Sequence, residues 1–136
     1  AKMTTYFISG HRNITPEEWE RYYVHRILKA LEEPDVKFVI GDYHGVDTIA
    51  QQFLFDKGVK NVVVYHMFTS PRNNVGFTTR GGFTTDEERD ASMTDNSDID
   101  IAWVREGAFD SGTAQNLKRR LTKLYNKRFL SKEIRY

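Results

Sequence analysis

The chain has 136 residues, of which 39% are apolar and 13% aromatic. This length suits one domain over residues 1–136, and the composition excludes a disordered or low-complexity chain. Lys and Arg number 20 against 19 Asp and Glu, a formal net charge of +1, which disfavours a protein that coats nucleic acid. The sequence contains no cysteine, which excludes a disulfide scaffold, Cys-ligated metal centres and thiol catalysis.

Other sequence signals exclude further classes of protein. A run of 18 apolar residues is absent, and the N-terminal stretch lacks the apolar core of a signal peptide, so we expect a cytoplasmic protein with no membrane partner. The four histidines show no two-histidine metal spacing, and no G-x-S-x-G, P-loop or complete G-x-G-x-x-G motif occurs. The sequence therefore predicts no metal and no resident cofactor.

Hydrophobic patterns along the chain alternate between strands and helices. Strands are predicted over 5–9, 37–40, 61–65 and 98–104, with a fifth over 128–135. Helices are predicted from Thr15 to the turn before Pro34, then from about 47 to 57, 86 to 96 and 111 to 125. This alternation predicts an α/β domain whose parallel sheet of about five strands carries helices on both faces.

Helix-capping signals support these helix starts. Thr15 with Glu18 has the spacing of a capping box, and the sequence from Thr85 to Glu88 repeats it. Asp47 is the expected cap of the second helix.

A long irregular segment separates the third strand from the third helix. Residues 68–83 contain three glycines and one proline without a clear period, which predicts a long loop. Loops of this length are usually functional or mobile. We expect this loop to close over a ligand as a lid, with Arg72 or Arg80 contacting phosphate.

Charge is distributed unevenly along the second half of the chain. Residues 86–110 hold nine acids and two arginines, a net charge of −7, whereas residues 118–135 hold eight basic residues and one glutamate, a net charge of +7. Two solvated faces are the favoured interpretation. The alternative is that these segments pair, within the fold or across a dimer.

Ligands of parallel α/β sheets bind beyond the carboxyl ends of the strands, where four segments here carry small or polar residues. The last of these opens a long helix, so its backbone N–H groups and two hydroxyls suit a phosphate. Each of the four segments also has a purely structural interpretation. In chain order these interpretations are a tight strand exit, a capped turn, a surface arginine paired along its helix, and an ordinary serine cap. The candidate ligand-binding residues are Ser9, Gly10, His11, Arg12, Gly41, Asp42, Gly45, Arg89, Asp110, Ser111, Gly112 and Thr113.

Four segments together resemble the SLOG superfamily, which includes the LONELY GUY-type cytokinin phosphoribohydrolases and the DNA-processing protein A domain. YFISGHR resembles the first strand and glycine loop, and GDYHGVDTIA the G-x-x-x-G-[IV]-D-x-x-A turn of the DNA-processing branch. ERDASMTDNSDIDIAW resembles the E-R-K-x-x-M helix and next strand of the phosphoribohydrolase branch, and SGTAQN falls at its G-G-x-G-T-x-x-E motif. The resemblance spans most of residues 5–130.

This resemblance implies a Rossmann-like fold, a homodimer and a nucleotide-type ligand whose phosphate lies on Ser111, Gly112 and Thr113. It matches Arg89 to the functional arginine of the phosphoribohydrolase pattern. It also places Asn116 at the position of the catalytic glutamate, and asparagine cannot ionise to stabilise a ribosyl cation or activate water. The catalytic residue is therefore left open. Three acids are candidates for a relocated one: Asp86, Glu88 and Asp110.

Three functions follow from these observations. The first is a protein that binds a nucleotide or nucleotide-derived small molecule, to sense or sequester it, with Asn116 among the ligand-binding residues. The second is an enzyme that hydrolyses the N-glycosidic bond of a nucleoside 5′-monophosphate. The third is a module that binds single-stranded DNA through residues 118–135, which the near-zero net charge makes the least favoured.

Overall fold

Five strands form a parallel sheet. They are β1 (Thr4–Ile8), β2 (Val36–Gly41), β3 (Val62–Met67), β4 (Thr78–Phe83) and β5 (Ile99–Ile101), and they lie in the order β4-β3-β2-β1-β5. The structure, a computed structural model, describes residues 3–134, with side chains as far as residue 128. Each neighbouring pair in the sheet is parallel, which confirms the predicted fold class.

Helices cover both faces of this sheet. They are α1 (Pro16–Trp19), a π-helical segment (Glu20–Val24), α2 (His25–Ala30), α3 (Val46–Asp56), α4 (Asp86–Asp95) and α5 (Gly112–Ile134). Successive strand residues face opposite sides, so Ile8 packs against α2 and α3 while Phe7 packs against Met93 of α4. The larger core, on the α2 and α3 side, includes Tyr23, Ile27, Phe38, Ile40, Ala50 and Leu54.

The predicted loop over 68–83 is wrong in its second half. β4 occupies Thr78–Phe83 and pairs in parallel with β3. Its sequence TTRGGF holds two glycines, which lower the strand propensity and hide the residue pattern typical of a strand. The strand forms because Gly81 has no side chain: a Cβ atom there would overlap the buried ring of His66 on β3. Residues 68–77 remain a loop of turns and bends.

The predicted fifth strand over 128–135 is also wrong. Helix α5 continues from Gly112 to Ile134, and residue 135 lies outside the described residues. Between residues 113 and 134 the sequence holds no glycine or proline, so nothing there ends the helix. Lys, Arg and Leu, which dominate this stretch, are also good helix formers.

The helix caps differ in detail from their prediction. Thr15 and Glu18 form the complete capping box. Thr85 accepts a hydrogen bond from the Glu88 amide, but the Glu88 carboxylate turns to Thr84, so that box is incomplete. At α3 the N-cap is Gly45 and not Asp47. The carbonyl oxygens of His11 and Arg12 occupy the space where a Cβ atom of residue 45 would lie, which favours glycine at this position.

The π-helical segment between α1 and α2 fixes the position of Tyr23. A π turn adds one residue to a helix and often lies near a functional site. Tyr23 is fully buried, and its hydroxyl donates to the Ser9 carbonyl at 2.8 Å and accepts from the Trp103 amide at 3.0 Å. One phenol therefore joins the chain where it leaves β1 to the chain where it leaves β5.

Candidate functional site

A crevice lies at the carboxyl ends of β1, β2 and β5. The strand order reverses between β1 and β5, since β1 leads to β2 on one side while β5 lies on the other. Ligands of open α/β sheets bind at such a reversal. The enclosed part of this crevice has a volume of about 120 Å³. That is below the roughly 300–1,000 Å³ of complete small-molecule sites, so it has room for one group of a ligand and not for a whole nucleotide.

The structure brings nine of the thirteen predicted ligand-binding residues to this cavity. Arg12, Asp42, Gly45 and Asp110 are not part of its lining. The nine lining residues are Ser9, Gly10, His11, Gly41, Arg89, Ser111, Gly112, Thr113 and Asn116. Residues from four separate junctions of the chain therefore meet around one space.

The exit from β1 supplies a polar wall. Ser9 is 5% exposed, and its hydroxyl has no hydrogen-bond partner among the described residues. The next residue, Gly10, is required for packing rather than for ligand approach, because a Cβ there would overlap Tyr23 and Val46. A buried hydroxyl without a partner loses hydrogen bonds that water would provide, so this wall is incomplete until something fills the cavity.

His11 continues the same wall. His11 is 8% exposed, and its ring stands edge-on to Trp103, with ring centroids 5.6 Å apart. Its Nε2 atom accepts a hydrogen bond from the Arg105 amide at 2.7 Å. Burial, together with the nearby Arg105 charge, lowers the pKa of His11, so the ring is neutral at pH 7.

The first turn of α5 forms the opposite side of the cavity. The Ser111 hydroxyl caps the helix by accepting from the Ala114 amide at 3.1 Å. Within the described residues, the amides of Gly112 and Thr113 donate to no protein acceptor. Of the nine glycines, Gly112 alone combines an ordinary φ with open space around its missing Cβ. Free amides and open space at a helix start are the features that accommodate an anion.

Two carboxylates, the buried Asp47 and the partly buried Asp90, line the cavity beside these donors. Asp47 accepts from the Tyr43 amide at 3.1 Å, and burial raises its pKa to about 7 against the opposing effects of that amide and of Arg89. Burial also raises the pKa of Asp90, although Arg89 and Asn116 lower it. Neither acid was predicted as a cavity residue: Asp47 was expected only as a cap, and Asp90 carried no motif of its own.

Arg89 lines the cavity, and its guanidinium forms ion pairs with three aspartates. It is 4% exposed, and its guanidinium lies 2.8 Å from Asp42, 3.2 Å from Asp86 and 3.1 Å from Asp90. The alternative of an ordinary surface arginine is therefore wrong. Burial alone would raise the pKa of Asp42, but hydrogen bonds and charge from Arg72 and Arg89 hold it below its usual value.

The predicted lid loop is fastened at the rim of the crevice. Arg72 donates to the Asp42 carboxylate from its backbone amide at 2.8 Å and from its guanidinium at 3.2 and 3.0 Å. Its guanidinium also lies 4.7 Å from the centre of the Tyr43 ring, and Arg12 approaches the same ring at 5.5 Å. Arg80 instead lies over Tyr65, away from the cavity.

The acids proposed as a relocated catalyst do not enter the cavity. The Asp86 side chain is 51% exposed and bridges Arg72 and Arg89. The Glu88 carboxylate is bound to Thr84, and Asp110 is exposed outside the lining. Asp47 and Asp90 are the carboxylates that the structure places there. They were missed because burial by distant segments cannot be seen in a local pattern.

Several residues of the basic segment have structural partners. Arg120 is buried and lies 2.9 Å from Asp100. The Lys123 ammonium donates to the carbonyls of Thr94, Asp95 and Ser97 at the end of α4, where the helix dipole favours a cation. The acidic and basic segments therefore pair partly within the fold, which removes two of the charges on which DNA binding was predicted.

Within the described part of the chain, no group of three or more His, Asp or Glu residues is placed to hold a metal ion. No helix among residues 3–134 combines the length and apolar character that crossing a membrane requires.

Comparisons with known proteins give no family for this chain. No protein-family model, curated protein or solved structure matches it. The resemblance to the SLOG superfamily therefore stays a prediction from short motifs, and the site is interpreted from its own geometry.

Proposed function

We propose that the crevice binds a nucleotide or nucleotide-derived small molecule by its phosphate, so that the protein senses or sequesters it. The observation that carries this proposal is the open first turn of α5, which lines the same cavity as Ser9 and its buried, unpartnered hydroxyl. A phosphate oxygen accepts from hydroxyl and amide donors at once, and the helix dipole favours its charge. Membership of the SLOG superfamily, a homodimer and a cytoplasmic location belong to the same proposal.

The remaining walls suit the sugar that follows such a phosphate. Asp47 and Asp90 offer carboxylate oxygens, which accept hydrogen bonds from hydroxyl groups. Arg89 keeps this end of the cavity from becoming strongly anionic. Because the cavity has a volume of only about 120 Å³, the phosphate and part of the ribose fill it and the base lies outside, near the Tyr43 rim.

Calorimetric titration with AMP, ribose 5-phosphate and adenosine tests this proposal. We expect AMP and ribose 5-phosphate to bind and adenosine to bind at least tenfold more weakly, because adenosine lacks the phosphate. Mass spectrometry of small molecules released by heat from the purified protein supplies an independent view of the ligand. Failure of AMP, ribose 5-phosphate and a broader nucleotide panel to bind would overturn the proposal, as would equal affinity for AMP and adenosine.

The variant Gly112→Ala tests whether the phosphate binds at the first turn of α5. The added methyl group meets no protein atom within 4 Å and favours the helix, so the fold is expected to be unchanged. The methyl group enters the space assigned to the phosphate, so we expect at least a tenfold loss of AMP affinity. Gln115→Ala is the matched control, since Gln115 is in the same turn of α5 but lines the outer groove beside α4. Equal AMP affinity in both variants would place the phosphate elsewhere.

A second function is favoured by the two acids that line the cavity. Carboxyl groups with raised pKa values in a cavity are suited to acid–base catalysis, and Asp47 at about 7 is near half ionisation at neutral pH. These groups support hydrolysis of the N-glycosidic bond of a bound nucleoside 5′-monophosphate. Chromatography for free adenine after incubation with AMP tests this function. Base release that disappears in Asp47→Asn or Asp90→Asn supports it, whereas intact AMP with the wild-type protein rules it out for that substrate.

A further inference from the structure

His11 lies deep in the crevice in a position that its neighbours hold firmly. It follows Gly10 at the end of β1, lines the cavity and is packed against Trp103. The Arg105 amide that contacts it belongs to the chain after β5. The Arg105 guanidinium is anchored in turn at 2.8 Å to the Asn13 carbonyl and at 2.8 Å to the Glu18 carboxylate.

The contact with Arg105 determines which nitrogen of His11 carries the proton. A backbone amide can only donate, so at 2.7 Å the Nε2 atom must be the acceptor and cannot bear hydrogen. In a neutral imidazole the proton is then on Nδ1. No hydrogen bond within the described residues joins Nδ1 to a protein acceptor. A donor group of a residue that is 8% exposed therefore lacks a protein partner within the described residues.

We propose that His11 acts as a neutral hydrogen-bond donor, from Nδ1–H, to an oxygen atom of the ligand bound in the crevice. This inference rests on the proposed function and names a residue that contacts the ligand directly. Protonation of His11 would require Nε2 to give up the Arg105 amide, so the ring contributes a fixed dipole and not a charge. With the Ser9 hydroxyl, it makes this wall a pair of donors that selects oxygen acceptors such as phosphate oxygens.

The donor role also predicts which ligands the wall rejects. A ligand that presents an N–H or ammonium group to His11 would face a donor that cannot become an acceptor while the Arg105 contact persists. Burying two donors against each other leaves both unpaired, which disfavours binding. The backbone amide of Arg105, in the segment after β5, thus makes His11 select an oxygen acceptor on the ligand.

Two substitutions separate the two nitrogens of His11. His11→Gln places an acceptor where Nε2 lies and so keeps the Arg105 contact, but it has no donor at the Nδ1 position. His11→Asn places an amide nitrogen at the Nδ1 position and loses the Arg105 contact. We expect His11→Gln to lower AMP affinity at least tenfold, and His11→Asn to stay within about threefold of wild type. Urea unfolding of both variants verifies that each is folded.

Nitrogen NMR of the imidazole gives a readout that needs no ligand. We expect Nδ1 of His11 to carry hydrogen and Nε2 to be unprotonated from about pH 6.5 to 8. Addition of AMP is expected to shift the Nδ1 resonance and leave Nε2 nearly unchanged. An Nε2–H tautomer would overturn the proposal, and so would wild-type AMP affinity in His11→Gln.

These experiments also distinguish a failure of this inference from a failure of the proposed function. If wild-type protein binds neither AMP, nor ribose 5-phosphate, nor any member of the broader nucleotide panel, the proposed function fails, and the donor role toward a ligand fails with it. If AMP binds but His11→Gln binds it equally well, the proposed function survives and the inference alone is wrong.

Discussion

The ionisation of Asp47 makes a quantitative prediction about stability. Burial raises its pKa from 3.8 to about 7, so the folded protein holds the Asp47 proton more tightly than the unfolded chain does. Between these two pH values the folded state binds more protons, and the free energy of unfolding falls as the pH rises. The stabilising contribution of the neutral group is complete below about pH 3.8 and is lost as the pH rises through 7.

The size of the effect follows from the pH interval. Above about pH 5 the free energy of unfolding falls by about 1.36 kcal/mol per pH unit, less steeply as the pH nears the folded-state pKa, and the total loss levels off at ~2.7 kcal/mol by about pH 8.5. Asp47→Asn removes the titration and keeps an oxygen to accept the Tyr43 amide. The stability difference, wild type minus Asp47→Asn, is therefore expected to fall by ~2.7 kcal/mol between about pH 5 and pH 8.5.

Urea unfolding at several pH values measures this difference, with the fluorescence of the two tryptophans as the signal. Asp56→Asn is the matched control, because Asp56 ends the same helix and is exposed. The control is expected to follow wild type across the pH range. A wild-type minus Asp47→Asn difference that stays constant from pH 5 to 8.5 would refute the reasoning, since Asp47 would then titrate alike in both states.

Three further substitutions test the frame of the crevice. Gly10→Ala is expected to lower the free energy of unfolding by about 1–3 kcal/mol in urea, because its methyl group overlaps Tyr23; wild-type stability would contradict that packing. Tyr23→Phe leaves the Trp103 amide unpaired and is expected to cost about 1–3 kcal/mol in the same assay, a loss that should be absent if water replaces the hydroxyl. Arg72→Ala removes the two guanidinium hydrogen bonds to Asp42 and leaves that of the backbone amide in place; amides of 68–77 should exchange with deuterium at least tenfold faster, and protection equal to wild type would mean that other contacts hold the loop.

Much of the fold was readable from local patterns. The continuous apolar run of β3 and the capping box at Thr15 each contain the signal that defines the element. β4 was not readable, because its Gly81 makes sense only beside the ring of His66. The end of α5 was wrongly predicted to be a strand. Over a short stretch, a mixture of basic and apolar residues fits the two-residue period of a strand as well as the 3.6-residue period of a helix.

The candidate site was readable to a similar degree and for the same reason. Gly112 and Ser111 were found because a helix start after a strand has a local signature. Asp90 and the neutral state of His11 depend on segments far away in sequence, including Arg105, 94 residues beyond His11. Chemistry that distant neighbours impose on a side chain cannot be read from its own motif.

The π-helical segment has a consequence for how this chain can vary. A single phenolic oxygen spans the gap between the ends of β1 and β5, so the mouth of the crevice is as wide as Tyr23 allows. Each residue of an α-helix turns by about 100°. Deleting one residue from Glu20–Val24 would restore regular α geometry and turn α1 or Tyr23 out of register. Helix length and crevice width are thus coupled, and this stretch should tolerate substitutions far better than insertions or deletions.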